Sequence, residues 1–219
     1  MLNLSASEEN YLKAIYHLQA GGGNVSTKAL AESLQARPAS ITDMMKKLDA
    51  KKLLHYRPYY GFTLSPEGRK AALGIIRRHR LWEFFLAEKL GFAWEEVHPV
   101  AEELEHVRHK KLVDKLDAFL GFPRFDPHGD PIPDSKGRMD KAGTVPLSEL
   151  PLQQPARVCR VAGQSSELLE LLREKGIGIG TRVEVRRRFT YDGSLQVQVR
   201  PNRSETISAQ LAQTIIIEL

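Results

Sequence analysis

The sequence predicts an α+β protein with short N-terminal helices and a hairpin, a central all-α region and a small C-terminal β-barrel. Apolar residues recur at helical spacing through the first 120 residues, a Pro- and Gly-dense stretch follows, and the last part alternates as strands do. The chain of 219 residues is long enough for one large domain or two small ones. We place the segment boundaries at residues 1–64, 65–121, 122–155 and 156–219.

Three short helices are expected at the N-terminus. Ser5 is a helix cap followed by acidic residues, and a helical apolar face runs on to Leu18. A second helix begins near Val25, and Pro38 suits the first turn of a third. In the third helix Ile41, Met45 and Leu48 face inward. Two short helices joined by a tight turn predict a helix-turn-helix, although small helical domains of other kinds also show such turns.

A hairpin directly after the third helix would complete a winged helix-turn-helix. Residues 53–64 form two short apolar runs around a tip that contains Pro and Gly. We therefore expect binding to double-stranded operator DNA, with phosphate contacts from lysines and arginines and base contacts from the outer face of the third helix. The predicted DNA-binding residues are Lys28, Arg37, Ala39, Ser40, Thr42, Asp43, Lys46, Lys47, Arg57 and Tyr59.

The central region predicts three helices. The first is capped at Ser65 and runs to about Leu90, and its apolar stripe is wider than one small core needs, which favours a homodimer interface. The second covers 93–106 with a kink near Pro99, and the third covers 110–120.

Six residues of this region form a metal-ligand pattern. His79 and Glu83 are spaced i, i+4, and Glu102, Glu105 and His106 are spaced i, i+3, i+4, with His98 nearby. Three carboxylates that converge on one spot repel each other unless a cation lies between them. The pattern therefore predicts a divalent metal.

Three other interpretations stay open at this point. Such spacing also occurs in surface ion-pair clusters, and a metallohydrolase could hold its metal with Glu-x-x-Glu-His. The hydrolase would lack an obvious general base and oxyanion donors, so we do not expect an enzyme. A metal-independent winged-helix regulator would leave the carboxylates and imidazoles unexplained.

The C-terminal segment is expected to form strands at 156–161, 182–190, 195–200 and 213–218, with a short helix at 168–174. Asp192-Gly193 is a tight hairpin turn. His128 is assigned to a turn of the preceding linker, and the arginines at 186–188 to a solvated strand face.

Composition limits the cellular setting. The net charge is +5, and residues 1–64 hold eight Lys or Arg against five Asp or Glu, which is a mild pointer to nucleic acid. The single cysteine, Cys159, excludes an internal disulfide. Because no apolar run reaches 18 residues, we expect no membrane association and a cytoplasmic protein.

Several motifs together resemble the diphtheria-toxin-repressor family, which includes the manganese transport regulators. They are Arg78-His79-Arg80-Leu81-Trp82-Glu83, Val97-His98-Pro99, residues 102–107 and the run Pro127-His128-Gly129-Asp130-Pro131-Ile132-Pro133. The C-terminal segment is similar to the SH3-like, FeoA-type domain of the longer members. The resemblance implies a homodimeric repressor of metal-homeostasis genes with two metal sites per subunit.

The resemblance also implies which residues bind metal. An ancillary site would use His79, Glu83 and His98, and a primary site Glu102, Glu105 and His106 with Asn10 from the first helix. Gln164 and Glu167 are further candidates, and exposed positions at a helix start explain them equally well. Since iron-type members carry sulfur at two of the primary positions where this chain has oxygen, the harder site favours Mn²⁺, with Fe²⁺ as the alternative.

Overall fold

The computed structural model describes residues 4–19, 22–57, 60–139, 144–163, 165–200 and 202–218. The chain divides into two compact units. The first comprises Met1–His79, Leu104–Lys110 and Pro133–Arg138, and the second comprises Arg80–Glu103, Lys111–Ile132 and Met139–Leu219. No helix in the described ranges combines the length and the apolar character that crossing a bilayer requires.

The first unit begins with three helices: α1 (Ala6–Leu18), α2 (Thr27–Ser33) and α3 (Pro38–Ala50). A capping box starts α1, because the Ser5 hydroxyl accepts from Glu8 N–H and the Glu8 carboxylate accepts from Ser5 N–H. Pro38 opens α3 as expected. The predicted helix-turn-helix is confirmed.

A two-stranded hairpin follows α3, with β1 (Leu54–Arg57) antiparallel to β2 (Gly61–Leu64). One core supports the three helices and the hairpin, and it includes Ile41, Met45 and Leu48 from α3. Because these three side chains are fully buried, the opposite face of α3 is left for solvent. This arrangement is that of a winged helix-turn-helix.

Glu8 also joins α1 to the end of α3. Its carboxylate lies 2.6 Å from Lys51 Nζ and 3.3 Å from Lys47 Nζ, and the residue is 1% exposed. Burial raises the pKa of Glu8, but hydrogen bonds from Lys51, Ser5 and Lys47 outweigh it and lower the pKa to about 2. Ionised Glu8 therefore stabilises this unit.

We expect Glu8→Gln to lower the free energy of unfolding at pH 7 by about 1–3 kcal/mol, because glutamine keeps the capping box and loses the charge. The folded pKa lies below the ordinary value of 4.5, so the contribution is present above pH 4.5 and lost as the pH falls towards 2. Urea unfolding of the wild type and the variant across this range measures the difference. The exposed Glu67→Gln is the control, and an equal loss there would contradict the prediction.

The helical middle of the chain consists of α4 (Pro66–Leu90), α5 (Val97–Leu104) and α6 (Lys110–Phe119). The predicted helix over 93–106 was too long at both ends. Residues 94–96 form a turn, and Pro99 lies in the first turn of α5, where its missing N–H costs nothing. Glu105 and His106 lie in a turn just after α5, so they do not continue the helical face of Glu102.

The second unit ends in a six-stranded antiparallel sheet. Its strands are β3 (Val145–Pro146), β4 (Pro155–Val161), β5 (Arg182–Arg188), β6 (Leu195–Val199), β7 (Arg203–Ile207) and β8 (Ile215–Glu218), and its helices are α7 (Ser166–Glu174) and α8 (Ala209–Thr214). The strand order is β3-β8-β4-β5-β6-β7. Since no pairing between β3 and β7 closes this sheet in the described residues, the predicted barrel is corrected to an open SH3-like sheet.

Local signals located most of these strands. The four predicted strands correspond to β4, β5, β6 and β8, but β3, β7 and α8 were missed. The polar strand β7 shows little alternation because only Ile207 at its end is fully buried. Val158, Val185 and Val197 belong to the core of this sheet.

The turn at residues 126–132 lies directly against the sheet. Val161 N–H of β4 donates to the carbonyl of His128 at 3.0 Å. A Cβ atom at Gly129 would lie 1.9 Å from the carbonyl oxygen of Cys159, and the φ of Gly129 is +82°. Only glycine permits this approach, so the turn is tied to β4 through its backbone.

Candidate metal centre

Two carboxylates and an imidazole converge in the interior of the second unit. Glu83 comes from α4, and Asp126 and His128 come from the turn that packs on β4. One ligand atom from each lies within 4.8 Å of the others, and all three residues are buried. The separation and the donor types match those of a divalent-cation site.

The Asp126 side chain is oriented by the turn itself. Its Oδ1 accepts the backbone N–H groups of His128 at 2.8 Å and Asp130 at 2.9 Å. Its Oδ2 is buried and accepts no hydrogen bond from the described residues, and Arg80 Nε lies 3.5 Å away. The turn therefore holds one carboxylate oxygen available for a ligand.

The His128 ring is oriented by a hydrogen bond to the backbone. Its Nε2 lies 3.1 Å from the carbonyl oxygen of Trp94, so this nitrogen carries the hydrogen and donates it. The other nitrogen, Nδ1, then presents a lone pair and lies 3.9 Å from Glu83 Oε2. Burial lowers the pKa of His128 more than the nearby Glu83 raises it, so the ring stays neutral, as a metal ligand must be.

The electrostatics of the centre also favour a cation. Burial and the neighbouring carboxylates of Glu83 and Asp130 raise the pKa of Asp126 well above its usual range, and Arg80 offsets only part of this. Two buried carboxylates side by side cost free energy that a divalent cation between them removes. The residues present therefore fit such an ion.

Two of the predicted ligands, His98 and Glu102, lie beside this centre. His98 Nδ1 lies 3.0 Å from Glu83 Oε1, and its Nε2 lies 3.6 Å from Glu102. Glu102 has a side chain that is 53% exposed, which leaves it at the rim. His79 precedes Glu83 by one turn of α4.

A second cluster lies in the first unit and contains more cations than carboxylates. The Glu105 carboxylate lies 2.8 Å from Lys13 Nζ and 2.7 Å from His79 Nδ1. Burial raises the pKa of Glu105, but the hydrogen bond from His79 and the charge of Lys13 outweigh it and lower the pKa. His106 Nδ1 pairs with Glu9 at 2.7 Å.

The remaining predicted ligands have other surroundings. Asn10 is exposed on α1, and Glu167 is exposed in the first turn of α7. Gln164 lies outside the described residues. In the described part of the first unit, no three His, Cys, Asp or Glu side chains bring ligand atoms within 4.8 Å of one another.

The predicted DNA-binding residues are exposed on α3 and around it, except Thr42, which is half-buried, and Tyr59, which lies outside the described residues. Thr42 donates its hydroxyl to the carbonyl of Pro38 at 3.2 Å. Lys47 is partly engaged by Glu8, and Lys28 lies 3.9 Å from Glu32. The exposed members are Lys28, Arg37, Ala39, Ser40, Asp43, Lys46, Lys47 and Arg57.

Sequence reasoning missed Asp126 and assigned His128 to a turn alone. Both are indeed in a turn, but the turn brings a ligand atom of each within 4.8 Å of a carboxylate oxygen of Glu83. The available signal was the motif Asp126-Pro127-His128-Gly129-Asp130, in which an acid and a histidine flank a proline and a glycine follows the histidine. Nothing in the local pattern indicated which helix would face it.

The winged helix-turn-helix is typical of DNA-binding regulators, and the buried centre has the ligand types of a divalent-cation site, so together they indicate the class of metal-responsive DNA-binding regulators. Three family models match the chain: the iron-dependent repressor N-terminal DNA-binding domain over residues 3–62, the iron-dependent repressor metal-binding and dimerisation domain over 65–134, and the FeoA domain over 145–219. The chain belongs to the diphtheria toxin repressor family of metal-dependent DNA-binding repressors.

Individual relatives are similar to this chain over all or nearly all of its length. The iron-dependent repressor IdeR of Mycobacterium tuberculosis is 28% identical over 232 residues, which cover 100% of this chain and 99% of the relative. A manganese-dependent transcriptional repressor in complex with manganese is 33% identical, with a TM-score of 0.87 over 96% of this chain and 98% of that chain. ScaR with bound Cd²⁺ is 30% identical, with a TM-score of 0.83 over the same shares. These relatives are repressors and not enzymes.

Proposed function

We propose that this chain is a Mn²⁺-responsive repressor that controls genes of metal uptake and homeostasis, with Glu83, Asp126 and His128 as the core of its regulatory metal site. The observation that carries the proposal is that ligand atoms of Glu83, Asp126 and His128 lie within 4.8 Å of one another, while the buried Asp126 Oδ2 and His128 Nδ1 have no hydrogen bonds to the described residues. His98 completes this set through its contact with Glu83.

The ligand types support manganese. The proposed set contains carboxylate oxygens and imidazole nitrogens only, which suits harder cations such as Mn²⁺. The one cysteine, Cys159, directs its Sγ at the carbonyl of Ile216, 3.4 Å away. Fe²⁺ remains the alternative, since the relatives include both a manganese-dependent and an iron-dependent repressor.

The proposed mechanism starts from the two buried carboxylates. Glu83, Asp126 and His128 would hold a divalent cation, which would supply the positive charge that offsets the two carboxylates. Asp126 and His128 then hold the turn against α4, and the turn carries its backbone hydrogen bond to β4. Because metal affinity and operator affinity are linked, operator DNA tightens metal binding by the factor by which metal tightens DNA binding.

The proposed partners are operator DNA and a second copy of the chain. The outer face of α3 and Arg57 on the hairpin would contact DNA. Large apolar side chains around the second unit support a homodimer: Leu90, Leu112 and Phe119 are 56%, 42% and 67% exposed. A repressor that acts on the chromosome works in the cytoplasm. The segments 1–64, 65–121, 122–155 and 156–219 stay our proposed domain division.

DNA retention by chelator-stripped protein on genomic fragments tests this function. We expect no specific retention without metal, and retention at lower free Mn²⁺ than free Fe²⁺ in anaerobic titrations. Retention at lower Fe²⁺ would assign the protein to iron. Equal retention by the stripped protein would refute the metal response.

A further inference from the structure

The second cluster, in the first unit, is assembled around two buried carboxylates. Glu105 is fully buried, and Lys13 and His79 both contact its Oε2. Arg78 Nε donates to the backbone carbonyl of Glu105 at 2.5 Å. These contacts join α1 and α4 to the turn after α5 within this unit.

Glu9 is the other carboxylate. Arg78 Nη2 lies 2.9 Å from its Oε1, His106 Nδ1 lies 2.7 Å from its Oε2, and Arg108 Nε lies 3.8 Å away. Arg108 also donates to the backbone carbonyl of Leu4, just before α1. The same turn is therefore held to α1 at two places.

The charges of this cluster do not suit a metal ion. Lys13, Arg78 and Arg108 contribute three positive charges against the two carboxylates of Glu9 and Glu105. A divalent cation would add two more positive charges at a place where Lys13 Nζ already lies 2.8 Å from Glu105. The residues implied for a second metal thus do not fit one.

We propose that the Lys13 ammonium group occupies the position of a metal ion beside Glu105, so that α1 is docked without metal and each chain binds a single regulatory metal ion. The inference rests on the proposed function for the identity of that one site. Lys13 is a tethered cation whose local concentration does not depend on metal supply. Its side chain is 14% exposed, so salt screens the pair weakly.

Hydrogen exchange of α1 in chelator-stripped protein tests the docking. We expect protected α1 amides in the wild type and about tenfold or more faster exchange in Lys13→Met, since a charged hydrogen bond to a buried carboxylate is lost. Lys70→Met removes an exposed lysine of α4 and should leave α1 unchanged. Protection of wild-type α1 that appears only on Mn²⁺ addition would overturn the proposal.

Metal stoichiometry by equilibrium dialysis tests the single site. We expect one Mn²⁺ per chain, unchanged in Glu105→Gln and rising to two in Lys13→Glu, which replaces the cation by a second carboxylate. Two Mn²⁺ per wild-type chain, with one lost in Glu105→Gln, would overturn the proposal. Failure of the proposed function can be told apart from failure of this inference. If the proposed function is wrong, DNA retention does not change with metal, but protection of α1 in stripped protein still depends on Lys13.

Discussion

Asp126→Asn is expected to weaken Mn²⁺ binding by about 100-fold, which is about 2.7 kcal/mol, and to abolish metal-dependent DNA retention. The substitution keeps the Oδ1 atom that accepts from His128 and Asp130, so the turn survives. It replaces the buried Oδ2 by an amide that cannot serve as an anionic ligand. Mn²⁺ affinity by calorimetry and retention on operator fragments measure the two effects.

The same substitution should stabilise the metal-free protein by about 1–2 kcal/mol, because it removes a buried carboxylate from the field of Glu83 and Asp130. Asp134→Asn is a matched control. Asp134 makes the same turn, with Oδ1 accepting from Lys136 at 2.8 Å and Arg138 at 2.9 Å, but its side chain is 38% exposed and lies outside the proposed site. Equal loss of Mn²⁺ affinity in both variants would show that turn geometry, and not the Asp126 ligand, matters.

Gly129→Ala should cost about 3 kcal/mol or more in the free energy of unfolding and should lower Mn²⁺ affinity. The added Cβ would meet the Cys159 carbonyl oxygen at 1.9 Å, and alanine is strained at a φ of +82°. The turn must therefore move away from β4, which displaces His128 and Asp126. Denaturant unfolding and calorimetric titration with Mn²⁺ measure both losses.

Gly180→Ala separates the cost of backbone strain from the cost of the close Cβ contact. Gly180 has a φ of +83°, nearly equal to that of Gly129, but a Cβ there would meet nothing within 4 Å. We expect a loss of about 1–2 kcal/mol from backbone strain alone and an unchanged Mn²⁺ affinity. If both variants lose the same stability and bind Mn²⁺ equally, the contact between the turn and β4 does not support the metal site.

Much of the fold could be predicted because its signals are local. Ser5 and Glu8 cap a helix within one turn, and Pro38 starts another. The strands β4, β5, β6 and β8 show apolar alternation. The prediction missed the polar strand β7, where the local signal was weak. It also placed the start of α5 too early, because a proline lies in the first turn of that helix.

The metal-ligand pattern was only partly informative. The spacing of Glu102, Glu105 and His106 suggested one helical face, but the helix ends at Leu104 and the spacing rule no longer holds beyond it. Glu83 and His98 do lie in contact, 3.0 Å apart. Residue types thus indicated a cation and the resemblance implied two sites, but neither showed that His79 contacts Glu105 or that Glu102 lies beside His98.

By itself, the sequence determined the class of this protein: a helix-turn-helix with a hairpin, a ligand-rich helical region and a C-terminal sheet, together with the motifs of a repressor family. These follow from periodicities and caps that act over a few residues. Only the tertiary structure decided that Asp126 and His128 face Glu83 and that Lys13 reaches Glu105. Both depend on residues distant along the chain, whose approach is set by how helices and turns pack and not by their own spacing.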